Sequence, residues 1–218
     1  MRLVTLPGVF RPRSDAWLLV DALRNRVPPG GAVLDVFTGS GVVAIAAARA
    51  GARAVTAVDV SRRSVLCARL NARLNGVAVR ALRGDLFAPV PGERFDLVVA
   101  NPPYLPSEEE APPVRGAARA WEGGRDGRAL LDRLCDEAPA RLASGGRLLL
   151  VQSSVSGIEP TIERLGAAGL RGEVISRRRG PLGPLLASRA ERLEERGLLG
   201  RGEREEELVV VEAVGQGG

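Results

Sequence analysis

The sequence predicts an open α/β sheet, mostly parallel and seven-stranded, with helices on both faces. Two observations carry this. Short apolar runs rich in Val, Ala and Leu alternate with helix-like segments along the chain, and acidic or Gly/Pro-rich clusters follow several of those runs. Strand–helix–strand alternation needs crossover connections, which place parallel strands in one sheet and helices over it.

The elements follow in order. Residues 15–26 read as a helix, closed by the Pro28-Pro29-Gly30-Gly31 turn. The apolar run 32–36 is a buried strand, 42–50 a helix, 54–58 a second strand, and 62–74 a second α/β crossover helix ended by Asn75-Gly76. Strands are expected at 77–82 and 95–100, a helix at 128–142, a strand at 147–152, a helix at 159–168, and strands at 173–176 and 208–213. Between the last two strands, Leu185, Leu186, Ala190 and Leu193 are spaced to share one helix face within 184–196. The expectation there is one amphipathic helix in an insert at about 177–207, covering a sheet edge or cleft. Its Arg177-Arg178-Arg179 run is a candidate docking surface for an acidic macromolecule.

A chain of 218 residues supports one sizeable core, so a single domain over 1–218 is expected. Aromatics make up only 3%, leaving Ala, Val and Leu to build that core. The formal charge is +5, but all 31 basic residues are Arg, a bias that a GC-rich genome explains without nucleic-acid binding. The absence of His excludes Ser-His-Asp and Cys-His catalysis and His-ligated zinc. Cys67 and Cys135 lack metal-site spacing, so no metal is expected, and isolated thiols suit a reducing cytoplasm. The longest charge-free stretch, 36–48, is too short to span a bilayer.

Ligands of such sheets bind beyond the carboxyl ends of the strands, and the motifs fall there. Asp35-Val36-Phe37-Thr38-Gly39-Ser40-Gly41 runs from the first strand into a helix. Gly39 and Gly41 allow a tight turn and close backbone approach, and the helix N-terminus offers N–H groups to a carboxylate. The full dinucleotide fingerprint is absent. Asp35 favours a cationic ligand, and Thr38 joins it in the candidate loop. Asp59 ends the second strand, where a carboxylate accepts both ribose hydroxyls; Asp85, with Leu86 beside it, follows the third and suits an adenine amino group. Together these positions fit adenosine with a cationic tail, as in S-adenosylmethionine.

The fourth strand ends in Asn101-Pro102-Pro103-Tyr104. An amide or aromatic amine is a poor nucleophile because its lone pair is delocalised. If the Asn101 side-chain oxygen and the Pro102 carbonyl accept its two N–H hydrogens, that lone pair is aimed at a methyl donor. Pro102 and Pro103 stiffen the loop, and Tyr104 offers a flat face to a planar group. Positioning and electrostatics then carry the reaction without a strong base.

The NPPY loop with the DxFTGSG loop resembles the HemK-like glutamine-N5 methyltransferases of translation release factors. The likeness extends to Phe10-Arg11-Pro12-Arg13-Ser14-Asp15 and to Trp121-Glu122-Gly123-Gly124-Arg125-Asp126-Gly127-Arg128, covering roughly residues 9–176. It implies a class I S-adenosylmethionine-dependent (Rossmann-like) methyltransferase fold, a cofactor contact from Asp15, and contacts from Asn101 to both cofactor and target glutamine. The glycine loop begins near residue 37, so the short form without the N-terminal helical domain is expected. Short-form relatives in some lineages work with a small zinc-binding activator protein. Two positions depart from the pattern. Phe37 replaces the usual first glycine, so its side chain is expected to turn away from the ligand, and Ala16 stands where relatives usually carry Thr. Alternatives are a nucleic-acid methyltransferase acting on adenine N6 or guanine N2, and a non-catalytic cofactor-binding subunit. Few aromatics and little spare chain for base recognition disfavour the first, and the intact NPPY loop disfavours the second.

Overall fold

The computed structural model describes residues 1–215; the last three positions of the expected 1–218 domain lie outside the described residues. In chain order the elements are α1 (Ser14–Leu23), β1 (Ala32–Val36), α2 (Val42–Arg49), β2 (Ala54–Asp59), α3 (Arg62–Leu74), β3 (Arg80–Arg83), β4 (Phe95–Ala100), α4 (Ala129–Glu137), β5 (Leu142–Ser153), α5 (Ile158–Ala167), β6 (Leu170–Pro181), α6 (Pro184–Ala187), α7 (Ala190–Glu195) and β7 (Glu205–Gly215). They form one seven-stranded sheet in the order β3-β2-β1-β4-β5-β7-β6. The first five strands are parallel, and β7 runs antiparallel between β5 and β6.

Why these residues form this sheet is clearest in β4 and β5. Leu97, Val98, Val99 and Ala100 are all fully buried, as are Leu148 to Val151 beside them. A strand covered on both faces needs no polar alternation, hence the continuous apolar runs. On the helical layers, α1 packs on α2 and α2 on α3, while α4 packs on α5. Among the described residues no helix is long and apolar enough to cross a membrane.

Several boundaries differ from the sequence expectation, each for a local reason. Strand β3 starts at Arg80 rather than residue 77, because the Val77 N–H is spent on Ala72 O at the end of α3. The helix expected to reach 142 stops at Glu137. Pro139 lacks an N–H for an α-helical bond and opens a single 3₁₀ turn, and Leu142 already pairs with Phe95 in the sheet.

The insert differs most. Residues 177–181 and 205–207 are not part of a helical insert: they extend the β6–β7 hairpin, where Arg177 faces Val209 and Arg179 faces Glu207. The single helix expected over 184–196 is two short ones. Ser188 caps α6 by donating to Leu185 O, and Arg189 leaves helical geometry. Leu186, Ala190 and Leu193 are buried together in a second small core with Leu199, while Leu185 is only half-buried. The arginine run lies on the β6–β7 hairpin: Arg177 pairs with Glu207 (2.5 Å) and Arg179 with Glu205 (2.8 Å), while Arg178 donates to the neutral Ser14 O (3.3 Å).

One buried amide fastens the N-terminal segment to the sheet's ligand edge. Asn71, fully buried on α3, donates to Val4 O (2.9 Å) and Ser40 O (2.8 Å) and accepts from Val4 N (2.8 Å). Asn71→Ala orphans those groups, so it is expected to lower unfolding free energy by about 2–3 kcal/mol in urea melts.

Candidate active site

A cavity of about 620 Å³, within the range of small-molecule sites, opens along the carboxyl ends of the strands. It is bordered by Asp15, Asp35, Thr38, Gly39, Asp59, Asp85 and Leu86, and by Asn101, Pro102, Pro103 and Tyr104. Gly41 does not border it. Its φ of +83° and an ideal Cβ position 2.9 Å from Ala68 show a packing role, letting the start of α2 press against α3.

Within the loop after β1, Asp35 is almost wholly buried. Its Oδ2 accepts from Thr38 Oγ1 (2.5 Å) and Ala44 N (3.0 Å), which bend the loop into α2. Burial pushes its carboxyl up to about 7, opposed by those two hydrogen bonds and aided by the nearby Asp59 charge. Phe37 takes φ +62°, a conformation suited to glycine, and is half-buried where cavity and core margin meet.

Asp59 spans the loop mouth: Oδ2 accepts from Gly39 N (2.9 Å) and Oδ1 from Ser61 N (2.8 Å). Burial raises its pKa despite these bonds. A carboxylate has about four lone-pair sites, so capacity remains for a ligand's hydroxyls. Asp85 is more open than an adenine-reading residue needs to be. Its side chain is 54% exposed and bonded to Arg133 on α4 (3.1 Å).

The sharpest geometry lies where α1 meets the loop after β4. Asp15, 8% exposed, accepts through Oδ2 from both Asn101 Nδ2 (3.1 Å) and Tyr104 Oη (3.1 Å), while its Oδ1 takes the Ala16 N–H (2.7 Å). The Asn101 amide is thereby oriented. Its NH₂ end points at Asp15, and among the described residues nothing donates to its Oδ1. Burial, reinforced by Asp15, holds the Tyr104 phenol well above its usual range, so it stays a neutral donor. Tyr104 is 7% exposed, so its ring is more a brace than an open stacking platform.

Residues 121–128 clamp this loop from outside. Leu105 N donates to Trp121 O (2.8 Å) and Gly123 N to Leu105 O (2.9 Å). Ser156 Oγ donates to Tyr104 O (2.5 Å), and Arg128 reaches Ser156 O (2.6 Å) and Gly157 O (2.9 Å). A Cβ on Gly123 would sit 2.6 Å from Pro103 O, and one on Gly127 2.1 Å from Tyr104 O.

This arrangement has relatives. The methyltransferase small domain family matches residues 1–168. A protein from Methanocaldococcus jannaschii, provisionally named a protein N5-glutamine methyltransferase, is 37% identical over 86% of this chain and 93% of its own. Methyltransferase HEMK2 of Mus musculus is 35% identical over 75% of this chain and 80% of its own. The chain belongs to the HemK-like glutamine methyltransferase family. Against the release factor glutamine methyltransferase of Geobacter sulfurreducens, a HemK-like relative 37% identical over 67% of this chain, it spans 54% of the relative's length. Among solved structures the fold is similar to that of the E. cuniculi Mtq2–Trm112 complex, which methylates the eRF1 termination factor (TM-score 0.66, 22% identity, 96% of this chain and 99% of that one).

Among the HemK-like features, the clamp was visible as a motif but its role was not, because its partners Tyr104 and Ser156 lie elsewhere in the chain. Ser156, Glu206 and Arg189 gave no sequence signal at all. Among the described residues, no cluster of three or more His, Cys, Asp or Glu is placed to hold a metal.

Two outcomes are expected. Gly127→Ala drives a Cβ into Tyr104 O at a positive φ; methyl-transfer assays are expected to show at least about a tenfold loss as the loop shifts, since misplacement of this size costs up to about 10² in rate. The Asp35 shift predicts a pH signature. Folding raises this pKa from 3.8 to about 7, so the folded state binds the proton more tightly and loses relative stability as pH rises through that window. Asp35→Asn abolishes this loss: its stability relative to wild type is expected to climb by roughly 1–4 kcal/mol from pH 4 to pH 7, and a pH-independent difference in urea melts contradicts the assignment.

Proposed function

We propose that this chain transfers the methyl group of S-adenosylmethionine to the side-chain amide nitrogen of a protein glutamine, in the Gly-Gly-Gln loop of a translation release factor. The observation that carries the reading is the Asp15-held Asn101, a residue bordering the cavity whose Oδ1 accepts no hydrogen bond among the described residues.

The residues present fit the cofactor. Bound there, S-adenosylmethionine supplies an electrophilic methyl group on a sulfonium. Asp59 keeps acceptor capacity for ribose hydroxyls, and Asp85 with Leu86 lies at the adenine end. Arg133 must share Asp85 with any adenine amino group. Asp35 and Thr38 shape the glycine loop, and a cationic amino-acid tail nearby draws the Asp35 carboxyl toward its charged form.

On the acceptor side, Asn101 Oδ1 and the Pro102 carbonyl accept hydrogen bonds from the two N–H groups of the glutamine amide. That fixes the amide plane and turns the nitrogen toward the methyl group. As the N–CH3 bond forms and the S–CH3 bond breaks, the nitrogen releases one of these protons to solvent. Pro102 and Pro103 hold the carbonyl in place, and Asp15 prevents the Asn101 amide from flipping. A neutral amide suits a site whose ordering groups are acceptors. The similar E. cuniculi structure contains a partner, Trm112; a small activator subunit for this chain is part of the same proposal, as is a cytoplasmic location alongside translation.

The test is transfer of labelled methyl from S-adenosylmethionine to purified release factor, tRNA, rRNA and DNA, with and without a candidate activator. The product is then mapped by mass spectrometry. The expected result is label on one glutamine side chain; label on a nucleobase alone overturns the reading. Asn101→Ala is expected to cut turnover by about 10²–10³ and cofactor affinity far less, because the acceptor loses the group that positions it.

A further inference from the structure

The β6–β7 insert walls the cavity, yet the proposed chemistry gives it no task. Strand order explains where this wall stands. Along the carboxyl edge of the sheet, β3, β2 and β1 carry Asp85, Asp59 and Asp35 on one side of Asn101, which follows β4. Glu206 opens antiparallel β7, beyond β5, on the opposite side. It borders the same cavity, together with Pro184, Leu185 and Leu186 of α6. The cofactor carboxylates and Glu206 therefore flank the methyl-transfer point.

This wall is held by specific contacts. Glu206 Oε1 accepts from Gly183 N (2.9 Å), fixing the entry to α6. Leu186 is buried in the second core, against which Leu105 packs directly after the NPPY loop. Arg189 donates to Pro106 O (2.9 Å) and Glu122 Oε1 (2.6 Å), tying the insert to the reactive loop and its clamp. Glu206 is half-buried and near enough to Tyr104 for its charge to oppose phenol ionisation.

We infer that Glu206 and residues 183–186 form a subsite for the main chain flanking the target glutamine, with Glu206 accepting a substrate backbone N–H. The inference rests on the glutamine methyltransferase reading above. Only one Glu206 oxygen is committed to Gly183, and a carboxylate keeps further acceptor sites. Pro184 and Leu185 supply apolar surface beside it. A glycine-rich segment suits such a subsite, because without side chains its N–H groups approach the wall closely.

Glu206→Gln separates this role from a structural one. The amide oxygen still accepts from Gly183, but the other end becomes an NH₂ donor facing a donor, and an amide flip only moves that conflict to Gly183. For a Gly-Gly-Gln peptide, KM is expected to rise by about tenfold or more, with kcat within about threefold and S-adenosylmethionine affinity unchanged. Leu185→Ala reaches the same subsite without touching Glu206 and is expected to raise the same KM by about threefold or more. Unchanged peptide KM in both variants, or a parallel loss of cofactor affinity, overturns the subsite. If wild-type protein methylates no glutamine substrate, the underlying reading fails and the subsite with it; wild-type activity with unaltered KM in both variants defeats the subsite alone.

Discussion

One carboxylate oxygen, Asp15 Oδ2, joins the first helix to the loop that ends the fourth strand. It accepts from Asn101 and Tyr104 together, and it does so from a position that is nearly inaccessible to water. In that setting a hydrogen bond is stronger than in bulk solvent, and breaking one leaves a buried partner exposed to the full desolvation cost. The amide of Asn101 therefore has one favourable orientation. Everything proposed for the acceptor side depends on that orientation, because a flipped amide would present a donor to a substrate N–H.

Around this point the sheet sorts charge by strand. The three carboxylates at the carboxyl ends of β1, β2 and β3 lie on one flank, and Glu206 on the other. Burial lifts the Asp35 carboxyl to about 7 and raises that of Asp59 as well, whereas Asp85 is open to solvent and shared with Arg133. The cofactor flank is thus graded from a dry, loop-shaping carboxyl to a wet, exchangeable one. The reactive loop between the flanks is held rigid by backbone pairing with residues 121–128, where glycine is required by neighbours under 3 Å from any Cβ.

The parallel half of the fold was legible because its central strands are dry on both faces, so 32–36 and 95–100 stand out as apolar runs, each broken by a single Asp (Asp35 and Asp96), matching β1 and β4. Placing motifs at strand ends brought most candidate residues to one cavity. The antiparallel half was read less well. Leu170–Pro181 is largely exposed or half-exposed, and the hairpin end at 177–181 and 205–207 is rich in Arg and Glu. Cross-strand ion pairs such as Arg177–Glu207 therefore looked like unattached charge rather than strand pairing, whereas the buried run 208–213 of β7 stood out as a strand. A helical spacing from Leu185 to Leu193 hid the break at Ser188 and Arg189, which is imposed by contacts to Pro106 and Glu122 far away in sequence. Asp15 was legible only through family likeness, as a cofactor contact. Its bonds to Asn101 and Tyr104 span 86 and 89 residues, beyond any local pattern.

The central claim is that Asp15 acts through Asn101. A double-mutant cycle of Asp15→Asn and Asn101→Ala, read by single-turnover methylation of a glutamine peptide at saturating S-adenosylmethionine, tests it most directly. Coupled positioning predicts that Asp15→Asn slows transfer by about 10–100-fold in the wild-type background and by less than about threefold once Asn101 is gone. The same fold-loss in both backgrounds would contradict the account, because Asp15 would then act independently of the amide it holds.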